Sequence, residues 1–351
     1  MVKKIILLIF FLGLGIFLVY FSIKPLYNDK DLMEQFKGSL IGALNFRSLF
    51  FIFLSMLCGA LAIYFRALRN ILLIDPLGYN VRKTTAFYSV MTCYLGNLAF
   101  PRLGEVLRCT FLQRYDKVPF EKSLGTVAVD RIFDLLVFLI LLIFIIFMNN
   151  ELVSELVINK QEGITLGVWI NNKLATIWAM KYLVLGALIT LSLFLLVLKH
   201  KQKAKTVKKQ SKIVEKIKNM SVGLWQGLIS IKDIEHPYLF IIYTIALWVC
   251  YYLGTFLCMY AFDFLQHLSP MPAFVVLVVG AIGFMIAQGG LGAYPLIVAG
   301  ILVLYDIDYA QGLAAGWIGW GAQTVMILVV GFTVLILASF LKVENRAVVS
   351  D

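Results

Sequence analysis

Arg102, Glu105 and Arg108 recur at intervals of three directly after an apolar run, residues 84–100, that is interrupted by Pro101 and Gly104. Residues three apart lie on one side of a helical turn, so this spacing would present two guanidinium groups and a carboxylate together. Arginine offers a planar fork of donors that matches phosphate. A helix beginning after Pro101 would add free backbone N–H groups and the dipole end that favours an anion. Glu105 would then pair with an arginine or take a cationic headgroup. The plainer alternative is a self-neutralising pair that anchors a turn at the membrane surface. Asn97 closes the apolar run just before the break.

A second charged set, Asp130, Arg131 and Asp134, stands near the start of the long apolar run 124–148. Its two acids share a helix face. They read either as helix-start acids favoured by the dipole or as partners that orient Arg102 or Arg108. A third candidate is the turn from Gln288 to Gly292, which interrupts another apolar stretch; Gly289, Gly290 and Gly292 let backbone approach a ligand closely. Arg66 and Arg69, by contrast, read as interface anchors whose stems lie along apolar surface. We find no nucleophile–base–acid set, phosphate loop or metal-ligand spacing, so neither a catalytic residue nor a metal or other cofactor is expected. Cys58, Cys93, Cys109, Cys250 and Cys258 lie in or beside apolar runs and read as small packing residues.

The elements that must position these groups are membrane helices. Of the 351 residues, 61% are hydrophobic and only 15% charged, against about 25% charged in soluble domains. Several runs reach the roughly 18 apolar residues that suggest a transmembrane helix. Spans are expected at 5–23, 46–65, 124–148, 182–198, 238–262 and 317–341, with mixed-charge loops at 24–47 and 149–180. The net charge of +11 is concentrated at residues 199–218, where nine lysines face Glu215 alone. That makes the basic segment 199–236 a cytoplasmic topology determinant, or a contact for anionic headgroups, and not a nucleic-acid surface.

Topology then constrains the breaks. If the run 84–100 crossed the membrane, the lysine segment would fall outside, against the positive-inside rule. Residues 84–120 are therefore expected to enter from the cytoplasm and return to it, and residues 272–305 to do the same from the opposite side. Both hairpins sit where Gly and Pro interrupt an apolar run. The expected fold is an all-α, single polytopic membrane domain over 1–351, with about six full transmembrane helices and two re-entrant helical hairpins. Residues 46–148 and 238–341 form two halves of opposite orientation, the inverted-repeat architecture in which interrupted segments mark a binding site. Both termini are expected in the cytoplasm, in a multi-pass inner-membrane protein whose oligomeric state the sequence leaves open.

The segments Arg66-Ala-Leu-Arg69, Asn97 to Glu105, Asp130 to Asp134 and Gly289 to Gly292, in this order along nearly the whole chain, resemble the lysylphosphatidylglycerol synthase transmembrane-region (flippase-like) family. The resemblance implies a lipid-translocating domain that moves a charged phospholipid or aminoacyl-phospholipid between leaflets. Its partners would be membrane lipids: anionic or zwitterionic phospholipid, or polyprenyl-linked lipid. The bifunctional synthases of that family carry a soluble aminoacyl-transfer domain after the membrane part. This chain ends ten residues past its last expected span, so synthesis is not expected of it. The family's second break usually reads Pro-x-Gly-Gly-x-Gly, whereas here Gln288 precedes the glycines. Alternatives from other classes are a membrane-embedded transferase acting on a lipid-linked sugar or phosphate, with Glu105 or Asp134 as its base, and a non-catalytic partner of a lipid-modifying enzyme.

Overall fold

The computed structural model describes residues 2–100, 102–148 and 222–341, with residues 2–12, 146 and 147 followed by backbone alone. The chain divides into two compact units, one of residues 1–143 with 219–351 and one of residues 144–218. Apart from the last residues of α6, the helices and contacts described belong to the first unit. The expected span 182–198, the loop 149–180, the lysines of 199–218, and Lys342 and Arg346 lie outside the described residues.

Among the described residues there is no strand. The helices that bear on the site are α1 (Val2–Asn28), α2 (Lys30–Gly42), α3 (Phe46–Ile74), α4 (Lys83–Ala99), α5 (Leu103–Tyr115), α6 (Phe120–Met148), α7 (Pro237–Tyr260), α8 (Met271–Ile286), α9 (Ala293–Val303) and α10 (Tyr309–Ala338), and residues 222–229 before α7 are helical too. Three of them, α3 with the turn after it, α7 and α10, are long and apolar enough to cross a membrane by length and composition.

Two expectations are corrected here. The stretch 24–47 is not a loop. Its charges decorate the end of α1 and the whole of α2. The Asp29 carboxylate caps α2 by accepting from the N–H groups of Asp31 and Leu32, at 2.9 and 3.3 Å. Leu32, Met33 and Phe36 then pack against a cluster of Leu26, Ala299 and, from α10, Ala310 and Leu313. The second correction concerns α3, which does not stop near Phe65 but runs on to Ile74. Arg66 and Arg69 therefore lie on a helix, with their side chains buried, and not in a loop.

The core joins α3, α4, α5 and α10 through Ile63, Ala67, Val90, Met91, Leu112, Met326 and Val334. Helix α7 packs along α3 at Ala62, Leu247 and Cys250. The five cysteines are free and at least half-buried, as packing residues should be.

The order of helix lengths in α3 to α6 recurs in α7 to α10, and so does the form of the break. In each, the residue after the second helix of the set is extended: Phe100 after α4, Ala287 after α8. Each donates its N–H to a glycine carbonyl four residues back, Gly96 or Gly283. Two residues further on, Arg102 and Gly289 both take the left-handed conformation, at φ 62° and 61°. Glycines then bring the paired helices close. A Cβ on Gly104 would lie 2.0 Å from the Cys93 carbonyl, and one on Gly283 would lie 2.9 Å from the Tyr294 backbone. At the open end of the α4–α5 pair, Arg82 Nε meets Asp116 at 3.0 Å and the Tyr115 hydroxyl donates to the Ala338 carbonyl at 3.1 Å. Burial pushes the Asp116 carboxyl up, and Arg82 pulls against that shift.

Gly104→Ala is therefore expected to push α5 off α4 and to destabilise the protein by about 1–3 kcal/mol. Gly300→Ala and Gly321→Ala, with nothing within 4 Å of the added carbon, should leave the melting temperature unchanged or raise it. Equal melting temperatures for all three variants in detergent would contradict this packing.

Candidate anion site

Arg66 and Arg69 are three apart on α3, Asp130 and Asp134 four apart on α6, and these spacings bring each pair onto one face of its helix. The two faces meet. Arg69 approaches Asp130 Oδ1 through Nε at 2.8 Å and also through Nη2, which reaches Asp134 Oδ1 at 2.7 Å. Arg66 Nη1 lies 2.7 Å from Asp134 Oδ2 and 3.4 Å from Asp130 Oδ2. Arg108, coming from α5, adds Nη1 at 3.3 Å from Asp130 Oδ2. Asp130 and Arg69 are 0% exposed, Arg108 1% and Arg66 5%.

Helix α7 completes the enclosure. Thr244 Oγ1 accepts from Arg69 Nη1 at 3.3 Å, and Phe240, one turn earlier, lies under the same guanidinium at 5.6 Å from ring centroid to Cζ. Two turns on, the Tyr251 hydroxyl hydrogen-bonds the Tyr94 hydroxyl of α4 at 2.9 Å, and the Arg66 guanidinium lies over the Tyr94 ring at 5.9 Å. Beside the buried group is a more open pair, Arg131 Nη2 to Glu105 Oε1 at 2.9 Å, with side chains 45% and 24% exposed.

The short helix α5 is held in place by Asn97. Its side-chain oxygen accepts from the Gly104 N–H at 2.9 Å, and its amide donates to Glu105 at 3.4 Å. One free N–H of the helix start is thus already satisfied from α4. Arg102, in the left-handed turn at that start, is exposed and has no ion-pair partner among the described residues.

Of the candidates from sequence, then, Asn97, Glu105, Arg108, Asp130, Arg131 and Asp134 converge, and Arg102 stands apart. Gln288, Gly289, Gly290 and Gly292 form the second break, and none of their hydrogen bonds reaches the charged group. The Gln288 amide donates to the Leu98 carbonyl, the Gly289 carbonyl accepts from the Trp320 indole, and Gly290 N–H bonds Ala287. Gly292 lies against α1, where a Cβ would come 2.6 Å from Val19 N. The helix-start reading of the α6 acids is also corrected: α6 begins at Phe120, so Asp130 and Asp134 sit about three turns into it. Arg66 and Arg69 are not interface anchors but members of the cluster. The apolar continuation Ile71 to Ile74 was the signal that the helix does not end with them. Thr244, Tyr94 and Tyr251 carried no comparable signal.

The chemistry follows from charge. Three buried arginines face two aspartates, and the outer pair cancels itself, so the group retains one positive charge. Arg108 Nε and Nη2 and Arg66 Nε are buried without a hydrogen-bond partner. Such donors cost free energy unless something accepts from them. Among the described residues no metal-binding group of His, Cys, Asp or Glu occurs. The arrangement is a buried cluster of net positive charge inside a multi-pass membrane protein whose described residues are helical. The chain belongs to the Lysylphosphatidylglycerol synthase TM region family, which matches residues 8–331 and is connected with lipid modification. No curated protein and no solved structure matches it.

Asp130→Asn removes the carboxylate that all three arginines share. It should destabilise the protein by about 3–5 kcal/mol, the cost of breaking a buried ion pair from one side. Thr244→Val should cost less, about 1.5–3 kcal/mol for one bond to a charged donor. A wild-type melting temperature for Asp130→Asn would show that the arginines do not depend on it.

Proposed function

We propose that this chain moves a charged lipid between the leaflets of the inner membrane, with the headgroup phosphate held at Arg108. The observation that carries this reading is the buried positive excess with two Arg108 nitrogens unpartnered. Intramembrane charge is costly and is kept where a substrate or ion passes. A lipid phosphate would supply the missing negative charge through charge-assisted contacts. Glu105, with Oε1 on Arg131 and Oε2 buried and unpartnered, stands one turn from Arg108, where a cationic headgroup moiety would donate to that free oxygen. The lipid is an anionic or zwitterionic phospholipid or a polyprenyl-linked phosphate. Family membership supports the lipid part of the reading.

In this reading α4–α5 and α8–α9 are the two re-entrant hairpins, within inverted halves 46–148 and 238–341, and both termini are cytoplasmic. The recurring helix order and the matching form of the two breaks support it.

Arg108→Lys keeps the charge and loses the planar fork. In proteoliposomes carrying a labelled phospholipid it should slow leaflet-to-leaflet movement roughly 10- to 100-fold, the loss of one or two bonds to a charged donor, while Arg102→Lys stays near wild type. Full movement with Arg108→Lys would sink the site assignment. Orientation has its own test. A single cysteine at the exposed position Gln113 should resist an impermeant thiol reagent added outside sealed cells, and ready labelling would place the α4–α5 hairpin on the other side.

A further inference from the structure

We propose that Gln288 is a positioning residue that latches the second helix break onto the first, and so sets the position of the anion site. The inference rests on the transport reading for its purpose, but its geometry stands independently. Helix α4 ends at Ala99, so its last carbonyls have no partner within the helix. One of them, Leu98, is taken by the Gln288 amide at 2.9 Å, across 190 positions of sequence. Gly289, at φ 61°, brings the second break so close that a Cβ there would lie 3.2 Å from Leu98 Cδ2. The Trp320 indole N–H holds the Gly289 carbonyl at 2.7 Å, so the backbone beneath Gln288 is fixed to α10.

On the other side of the contact, the residue before Leu98 is Asn97, which grips the Gly104 N–H and Glu105. Those two residues form the first turn of α5, and Arg108 follows one turn later. A continuous run of hydrogen bonds and adjacent residues therefore leads from α10 through Gln288 and Asn97 to the helix that carries Arg108. Gln288 Oε1 is buried and unpartnered. A leucine would fill the same space without that cost, so the amide is kept for the bond it makes to Leu98. When that bond parts, the end of α4 is released from the second break, and the first turn of α5 is free to shift with Glu105 and Arg108. Passage of a headgroup between the two breaks requires such a release.

Cys93 reports the release directly. Its carbonyl is what Gly104 packs against, and its side chain is 2% exposed. In protein retaining only Cys93 among the five cysteines, Gln288→Leu should speed alkylation by a membrane-permeant maleimide roughly five- to tenfold, the population change produced by losing one neutral hydrogen bond. Cys250, buried on α7, retained alone in a matching protein, should keep its wild-type rate. Unchanged Cys93 alkylation would overturn the latch. So would a rise at Cys93 and Cys250 together with a falling melting temperature, which marks general loosening. Lipid movement is measured in the same proteins. Altered movement together with faster Cys93 alkylation supports the coupling, and faster alkylation with unaltered movement overturns it. No movement by the wild type, with Cys93 still dependent on Gln288, would overturn the transport reading and leave the latch standing.

Discussion

Asp130 is the group on which the arrangement depends. One carboxylate oxygen and the backbone carbonyl receive Arg69, while Arg66 and Arg108 share the other oxygen. Without that carboxylate, Asp134 alone would face three guanidinium groups, and Arg108 would have no acid beside it. The length of α3 follows from this pairing. An apolar helix can carry two arginines near its end only where charge of opposite sign waits on a neighbour, and α6 supplies it. The position of α5 follows as well, since Arg108 reaches the same oxygen from a short helix that has little apolar surface of its own.

That short helix needs a second means of placement, and the break before it provides one. Gly104 allows α5 to touch the backbone of α4 at Cys93, and Asn97 ties its first turn down. At the matching point of the second break the left-handed conformation falls on Gly289, which adopts it freely; in the first it falls on Arg102, where a Cβ makes it costly. The exposed side chain of Arg102 makes no bond that offsets this cost among the described residues. The cost is carried by the hydrogen bonds on either side of the turn, from Phe100 to Gly96 and from Gly104 to Asn97.

Much of this was legible in the sequence, and where it was not the reason is physical. The two interrupted runs were visible because Pro and Gly are punctuation that any apolar stretch must accommodate. Asp130, Asp134 and Arg108 could be linked because charges in such a chain need partners. Arg66 and Arg69 were misplaced because the positive-inside rule counts basic residues without asking whether an acid elsewhere neutralises them. Residues 24–47 were misread as a loop because α2 is polar on its outer face and its apolar side shows only once α10 lies beside it. Arg102 and Arg108 have the same chemistry, and the sequence could not show that Arg108 joins the buried cluster while Arg102 stands exposed in the left-handed turn. Thr244 and Tyr251 were beyond reach, since a hydroxyl in an apolar helix gives no sign of what it will meet.

The two halves share a plan but divide the labour unequally. Every charge of the cluster comes from α3, α5 and α6, whereas α7, the second break and α10 contribute neutral groups: Thr244, Tyr251, Gln288 and Trp320. A buried charge holds its neighbours strongly and at fixed geometry, because separating it from its partners leaves both uncompensated. A neutral hydrogen bond is worth about 1 kcal/mol and is exchanged easily. The buried charges are therefore held within the first set of helices, and among the described residues the ion pair that joins it to the second is the exposed one between Arg47 and Asp263 at 3.2 Å. Were the buried groups of the second set charged too, separating the two sets would part ions in a medium that cannot solvate them. Placing the buried charges in one set of helices and amides, hydroxyls and an indole in the other sets a firmly held cluster beside contacts that are able to part.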